Sequence, residues 1–320
     1  MASDPEIAVI VPSHEAEATL GACLDGILAQ TLPPDSFEIR VVDSGADSAA
    51  EILAARADRH PALHLHEAEV LGPGAQRNQG AGATRARFLA FTDADCVPDA
   101  GWLDAGIAHL RRGAAIVQGP TLTPDGVRPS PYAHAIFLPG PSPLFESCNI
   151  MYEADAFRRA GGFSTDLFET KAAHMGEDTE LAWRVRRDGG TVAWEPKAVV
   201  RHAVIPRDFA SHLDYQWQAR FFPRLVRRVP ELRRESLTAG FFLSPRTMKA
   251  AGAVAALALA PRTRWALPAA LPYLADIARE AGNAPTPRVA AAAVARRLLS
   301  DGAREAGLLW GSARYRSPVL

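Results

Sequence analysis

The sequence predicts an α/β fold: a doubly wound, mostly parallel sheet flanked by helices, followed by a helical C-terminal extension. Three observations carry this reading. Short β-branched and apolar runs alternate with segments of helical period. Each run ends in polar residues, where an open parallel sheet presents its ligands. Past residue 215 the composition turns to alanine and arginine, which separates residues 1–215 from a basic helical region at 216–320.

Residues 7–11, an Ile/Ala/Val run closed by Pro12, read as the first strand, and residues 16–30 set Leu20, Cys23, Leu24, Ile27 and Leu28 at helical spacing. Residues 37–42 form a second strand that stops at Asp43, and 48–59 a second helix. The unit repeats with a weak strand at 63–66, a helix at 75–85, and a strand over Phe88–Thr92 that is apolar on both faces, as a central parallel strand is. Asp93 and Asp95 follow directly. In extended geometry such a pair points the same way. Two neighbouring carboxylates resist joint ionisation unless a cation stands by. Hard oxygen ligands favour Mg2+ or Mn2+, and magnesium held by few carboxylates completes its shell with water and phosphates, so a phosphorylated ligand is implied. A turn cap at Asp93 beside a solvated Asp95 is the competing reading.

Further on, Leu181, Ala182 and Val185 share one helical stripe, which puts Glu177 and Asp178 at a helix start, where acids also complement the helix dipole. Residues 120–143 hold seven prolines in 24 residues, too many for a regular element, and read as a structured or mobile loop. No basic leader with an apolar signal core precedes residue 7, and Cys23, Cys96 and Cys148 match no zinc or redox spacing. Reduced thiols in a cytoplasmic setting are expected.

The net charge of −1 hides an asymmetry, since residues 221–320 hold 16 Lys/Arg against 6 Asp/Glu. Apolar runs at 250–260 and 265–277 fall short of the ~20 residues that span a bilayer. Flanked by arginines, they suit peripheral attachment to an anionic membrane surface at the inner face of the plasma membrane; a helical subdomain or dimer interface competes. The basic cluster contains no recognisable nucleic-acid module, so no nucleic-acid partner is expected.

Taken in order, Val9-Ile-Val-Pro-Ser-His-Glu15, Val41-Val-Asp-Ser-Gly45, Gly74-Ala-Gln-Arg-Asn-Gln-Gly80, Phe91-Thr-Asp-Ala-Asp95, Asn149-Ile-Met, Gly161-Gly-Phe163 and Gly176-Glu-Asp-Thr-Glu-Leu-Ala-Trp-Arg184 resemble the family 2 glycosyltransferases of the GT-A fold, over roughly residues 7–205. The resemblance implies a Rossmann-like GT-A domain, a nucleoside-diphosphate sugar donor with a UDP-sugar foremost, a hydroxyl acceptor, inversion at the anomeric carbon and a divalent metal. It implies that Pro12, His14 and Glu15 line the nucleotide pocket, that Asp43 meets the nucleobase, and that Arg77 and Asn78 approach the nucleotide. Asp93 would bind the ribose or the metal and Asp95 the metal, with His202 a further metal or diphosphate contact. Asp178 matches the family's base, which takes the acceptor hydroxyl's proton as the bond forms. Glu177 would stand beside it on the acceptor side, and Asn149 would shape the acceptor mouth. Ser44 stands where a second aspartate is frequent. The resemblance implies a role in cell-envelope polysaccharide, glycolipid or secondary-metabolite synthesis. Two other functions compete: a sugar-phosphate nucleotidyltransferase, against which the acidic stretch at 12–17 speaks, and a non-catalytic nucleotide-sugar-binding protein, which would not need Asp178.

Overall fold

Strand β1 (Ile7–Ser13) is buried along its whole length, and the first part of the chain is built outward from it. Helix α1 (Leu20–Leu28) follows, then β2 (Phe37–Asp43), α2 (Ser48–Ala54), β3 (Leu63–Glu67), α3 (Pro73–Gly82), β4 (Phe88–Thr92), β5 (Cys96–Pro98), α4 (Trp102–Arg111), β6 (Ile116–Gln118), β7 (Thr121–Leu122), β8 (Asn149–Glu153), α5 (Ala154–Arg159), α6 (Glu177–Arg187), β9 (Val192–Trp194) and β10 (Val200–His202). The computed structural model describes residues 4–45, 48–69, 72–127, 130, 132–166, 176–283 and 285–320. Parts of the proline-rich loop (128–129 and 131) lie outside the described residues. The chain divides into two units, Met1–Pro206 and Arg207–Leu320.

Among the described residues of the first unit, a seven-stranded sheet runs β3-β2-β1-β4-β8-β6-β9 and a smaller one β5-β10-β7. Strands β1 to β4 are mutually parallel, with Val9 facing Ile39 and Ala90 in register. Strand β8 is antiparallel to both neighbours, which alternation of strands and helices could not foretell. Side chains from alternate positions of β1, β2 and β4 meet the apolar stripe of α1 (Leu20, Cys23, Leu24, Ile27) and Trp102 of α4 in one core. Removing such large apolar side chains from water stabilises the fold by about 1.5–3 kcal/mol each. Helix α3 closes on β1 because residue 80 has no side chain: a Cβ there would lie 2.7 Å from Ile10.

The small sheet decides where the second half of the site goes. Strand β10 pairs antiparallel with β5, setting His202 opposite Cys96, so the last residues of β10 arrive beside the turn that leaves β4.

The second unit is helical: α7 (Phe209–Trp217), α8 (Phe222–Arg228), α9 (Leu232–Glu235), α10 (Pro245–Leu259), α11 (Leu271–Gly282) and α12 (Pro287–Tyr315). Ser244 caps α10, its hydroxyl accepting from the Thr247 N–H. Ala250, Ala253 and Ala256, one turn apart, form the buried stripe of α10 and pack with Ala270 and Tyr273. Asp301 of α12 is buried and compensated by Arg246 (2.7 Å) and the Tyr273 hydroxyl (2.8 Å).

Candidate active site

A cavity of about 760 Å³ opens at the carboxyl ends of β1, β2 and β4, where a parallel sheet leaves backbone and side-chain groups unpaired by further strand. Pro12 and Ser13 line it from the end of β1, His14 and Glu15 from the residues that follow, Ser44 from just past β2, Arg77 from α3, and Asp93 and Asp95 from the turn after β4. Gly72 and Pro73 bring the N-terminus of α3 to the wall, with no acidic residue in its first turn, so its free N–H groups favour an anion. Gln76 of the same helix is buried and donates to the Ser13 carbonyl (2.7 Å) and the Val42 carbonyl (2.8 Å), locking the ends of β1 and β2 together.

The two aspartates are not on an extended segment. Asp93–Cys96 is a turn closed by the Cys96 N–H on the Asp93 carbonyl (3.0 Å), and it still delivers both carboxylates to the cavity. Their compensation is divided. Arg77, buried and stacked over Phe163 at 5.4 Å, donates to Asp93 at 2.6 Å, so Asp93 has a fixed counter-charge without any metal. Arg77 Nη1 lies 3.6 Å from Glu177 and, like Nε, is buried with no hydrogen-bond partner among the described residues.

Asp95 has a different neighbour. His202 Nε2 stands 3.5 Å from its Oδ2, while His202 Nδ1 is held on the Ala203 carbonyl at 2.6 Å. That second contact keeps the proton on Nδ1 and turns Nε2 toward the carboxylate, the arrangement by which proteins orient an imidazole ligand. Burial and the Asp93 charge raise the Asp95 carboxyl above its ordinary range, with His202 opposing. The donor set therefore fits a divalent cation: one carboxylate and one oriented imidazole nitrogen, facing a cavity with room for phosphate oxygens. Cys96, the third group nearby, donates its S–H toward Asp95 and is kept protonated by its hydrogen bond with Cys148 and by burial, so it is no ligand for a hard ion.

Behind Arg77 lies a second acidic group. Gly176, at φ +95°, lets the chain turn sharply into α6, whose first residues are Glu177 and Asp178. Asp178 is half-buried and accepts from the Thr179 N–H (2.7 Å) and the Ser147 N–H (3.3 Å). Burial, then the charges of Glu177 and Glu146, push its carboxyl up to about 8. Such a group takes up a proton in the range where a general base has to work.

The sequence profile of the family described as Glycosyl transferase family 2 matches residues 8–164, which hold β1 through β8 and the whole Asp93–Asp95 turn. This places the chain in glycosyl transferase family 2. The pre-mycofactocin glycosyltransferase of Mycobacterium tuberculosis is 29% identical over 153 residues, 43% of this chain and 31% of that protein. Glycosyltransferase AglD of Haloferax volcanii is 28% identical over 253 residues, 71% of this chain and 40% of that protein. The chain thus spans less than half the length of these relatives. Among solved structures, the mannosyltransferase PcManGT from Pyrobaculum calidifontis, in complex with GDP-Man and Mn2+, superposes with a TM-score of 0.58 at 22% identity, covering 98% of this chain and 88% of that one. Staphylococcus aureus TarS 1-349 with UDP gives 0.54 at 16% identity, covering 98% and 92%. The fold is GT-A.

Within this family 2 domain, several residues named from the motifs have partners that the sequence did not indicate. Asn149 is buried; its amide donates to the carbonyls of Pro120 and Ala198 (both 2.8 Å) and accepts from Trp102 Nε1 (2.8 Å), which leaves no N–H for an acceptor. Asn78 is likewise committed, exchanging two 2.8 Å bonds with the backbone of Phe163. The Asp43 carboxylate accepts from the Gly45 N–H (3.2 Å), next to Ser44 on the cavity wall. Glu177 faces Arg77 at 3.6 Å. Pro12, His14, Glu15, Arg77, Asp93 and Asp95 share the cavity; His202 reaches it through Asp95. Glu146 went unnoticed in the sequence. It accepts from the Ser142 hydroxyl (3.0 Å), its other oxygen is buried without a hydrogen-bond partner among the described residues, and burial raises its carboxyl. Phe145, just before it, is held at φ +54° and packs edge-on against Trp183.

Proposed function

We propose that the chain transfers a sugar from a nucleoside-diphosphate donor to an acceptor hydroxyl, with a divalent metal bound and with inversion at the anomeric carbon. The observation that carries this reading is the pairing of Asp95 with the oriented Nε2 of His202 at the edge of a 760 Å³ cavity floored by a buried arginine. The cavity's anion-directed groups, Arg77 and the start of α3, suit a diphosphate, and the apolar and hydroxyl lining from Pro12 to Thr19 suits a nucleoside. The solved neighbours carry GDP-Man and Mn2+, or UDP, which supports a donor of that class, a UDP-sugar among them.

Asp95 and His202 would hold the ion, and a mixed carboxylate and imidazole set suits Mn2+ better than Mg2+. When bound, a divalent ion stabilises the negative charge that develops on a departing diphosphate. The chain's own residues do the rest. Arg77 fixes Asp93 and sets positive charge beside the leaving group. Asp178, ionised, takes the proton of the acceptor hydroxyl as it attacks, and the N–H groups of Ser147 and Thr179 hold its carboxylate in place. Bond making and bond breaking on opposite faces of the sugar give inversion.

Incubating the purified protein with UDP- and GDP-sugars and Mn2+ tests this directly. Release of nucleoside diphosphate, lost in Asp178→Asn, is the expected outcome. Release of pyrophosphate from a nucleoside triphosphate and a sugar phosphate would mean nucleotidyl transfer instead. Nucleotide binding with no turnover, unchanged in Asp178→Asn, would mean a non-catalytic binding protein.

A further inference from the structure

The second unit carries an apolar surface that the glycosyl-transfer reading does not use. Helices α10 and α11 are joined by a 3-10 turn over Arg264–Ala270, and their inner faces meet through alanines and Tyr273. The outward positions are large and apolar: Val254 and Leu257 on α10, Trp265 and Leu267 on the turn, Leu271 and Leu274 on α11. Trp265, at the tip, is 92% exposed. Single exposed hydrophobes are ordinary, but a run of this kind at one end of a helical pair marks a docking surface.

The charges around that tip identify what docks. Residues 236–275 contain no Asp or Glu, and from 250 to 275 the only charged residues are Arg262 and Arg264, both exposed. Neither makes an ion pair among the described residues. The nearest acids along the chain are occupied, Asp276 by Lys249 (2.7 Å) and Arg279 (2.8 Å), Glu280 by Arg246 (2.9 Å). A second copy meeting this tip with its own would oppose arginine to arginine. A soluble partner protein would need acids to match the arginines and a pocket for the tryptophan, whereas a bilayer of anionic lipid supplies both at any orientation about its normal. Arginine stems lie along apolar surface with their heads at the phosphate level, and tryptophan settles at the same depth.

We propose that the α10–α11 hairpin is a monotopic membrane anchor that docks on anionic lipid through Trp265 and its apolar flanks, with Arg262 and Arg264 on the headgroups. The helices lie in the interface and do not cross it. With 15 and 12 residues they are shorter than the ~30 Å hydrocarbon core requires at 1.5 Å per residue, and no helix among the described residues is long and apolar enough to span. Binding of this type scales with buried apolar area and with charge, and weakens as salt screens the lipid surface.

The test is co-sedimentation of the full chain with vesicles of phosphatidylcholine alone or mixed with phosphatidylglycerol, in low and high salt. We expect capture by the mixed vesicles only, reduced at high salt, and weakened about tenfold or more in the double variant Arg262→Glu/Arg264→Glu, two interfacial arginines being worth roughly that. Trp265→Ala should lose binding comparably. Bromine on the lipid chains should quench tryptophan emission in the wild type and spare it in Trp265→Phe. Because all three positions are exposed, melting curves and vesicle-free donor hydrolysis should match the wild type. That separates failure of the anchor from failure of the catalytic reading. No capture, equal capture by neutral vesicles, or capture indifferent to these substitutions would overturn the proposal. So would a dimer in sedimentation velocity that Trp265→Ala dissociates, which would assign the face to a second copy.

Discussion

Asp178→Asn separates the two roles that burial forces on one carboxyl. In the folded chain at pH 7 the group, pushed up to about 8, is roughly nine-tenths protonated, whereas unfolded it is ionised. Stability from this group is therefore present below the ordinary carboxylate range and is lost as pH rises toward about 8, above which the folded state ionises too. Each pH unit in that window costs on the order of 1.4 kcal/mol for a fully buried group, and partial solvent access reduces the whole to about 1–3 kcal/mol. Asparagine escapes this loss while keeping the acceptor that faces the Thr179 N–H at 2.7 Å. The variant should be more stable than the wild type by about 1–3 kcal/mol at pH 9 and nearly equal to it at pH 4.5, read from urea unfolding at the two pH values. Donor turnover should fall by roughly 10²–10⁴-fold, the usual contribution of a general base. In the wild type, kcat/KM should climb with pH and level off above about 8. A variant that is less stable at high pH, or offset equally at both, would show that Asp178 is not held protonated by its surroundings.

Two further substitutions probe the same wall. Glu146→Gln removes one of the charges that raise Asp178, so the acid limb of the kcat/KM profile should move to lower pH by on the order of half a unit; an unmoved or rising limb would dissociate Glu146 from the base. Arg77→Met leaves Asp93 and Glu177 without their buried counter-charge and should cost roughly 2–4 kcal/mol in urea unfolding at pH 7.5; a loss under 1 kcal/mol would mean that water already screens them.

How much of this was legible in the sequence depends on the range of the interaction. Runs such as Ile7–Val11 and Phe88–Thr92 announce themselves because every second residue meets the same core, and α6 because Leu181 and Val185 recur at its period. The cavity's position at the strand ends followed from that alternation. Partners distant in sequence did not. The reversal of β8, the Arg77–Asp93 ion pair across 16 positions, and the approach of His202 to Asp95 arise from how elements pack. Asn149 and Asn78 carry motif-like neighbours, yet their amides are consumed by backbone carbonyls, by the Phe163 N–H and by the Trp102 indole N–H. Glu146 sits just past the proline-rich loop, with no period to mark it. The expectation of a cation beside Asp93 and Asp95 could not foresee Arg77, which serves Asp93; among the described residues, Asp95 and His202 offer a ligand pair beside it.

That remaining pair is where the account is most exposed. Titrating Mn2+ by electron paramagnetic resonance into the protein with UDP or GDP present measures it without turnover. Saturable binding that requires the nucleotide, and that weakens about tenfold or more in both Asp95→Ala and His202→Ala while Arg262→Glu leaves it unchanged, is the predicted result. Equal binding in all of these proteins, or none in any, would contradict it.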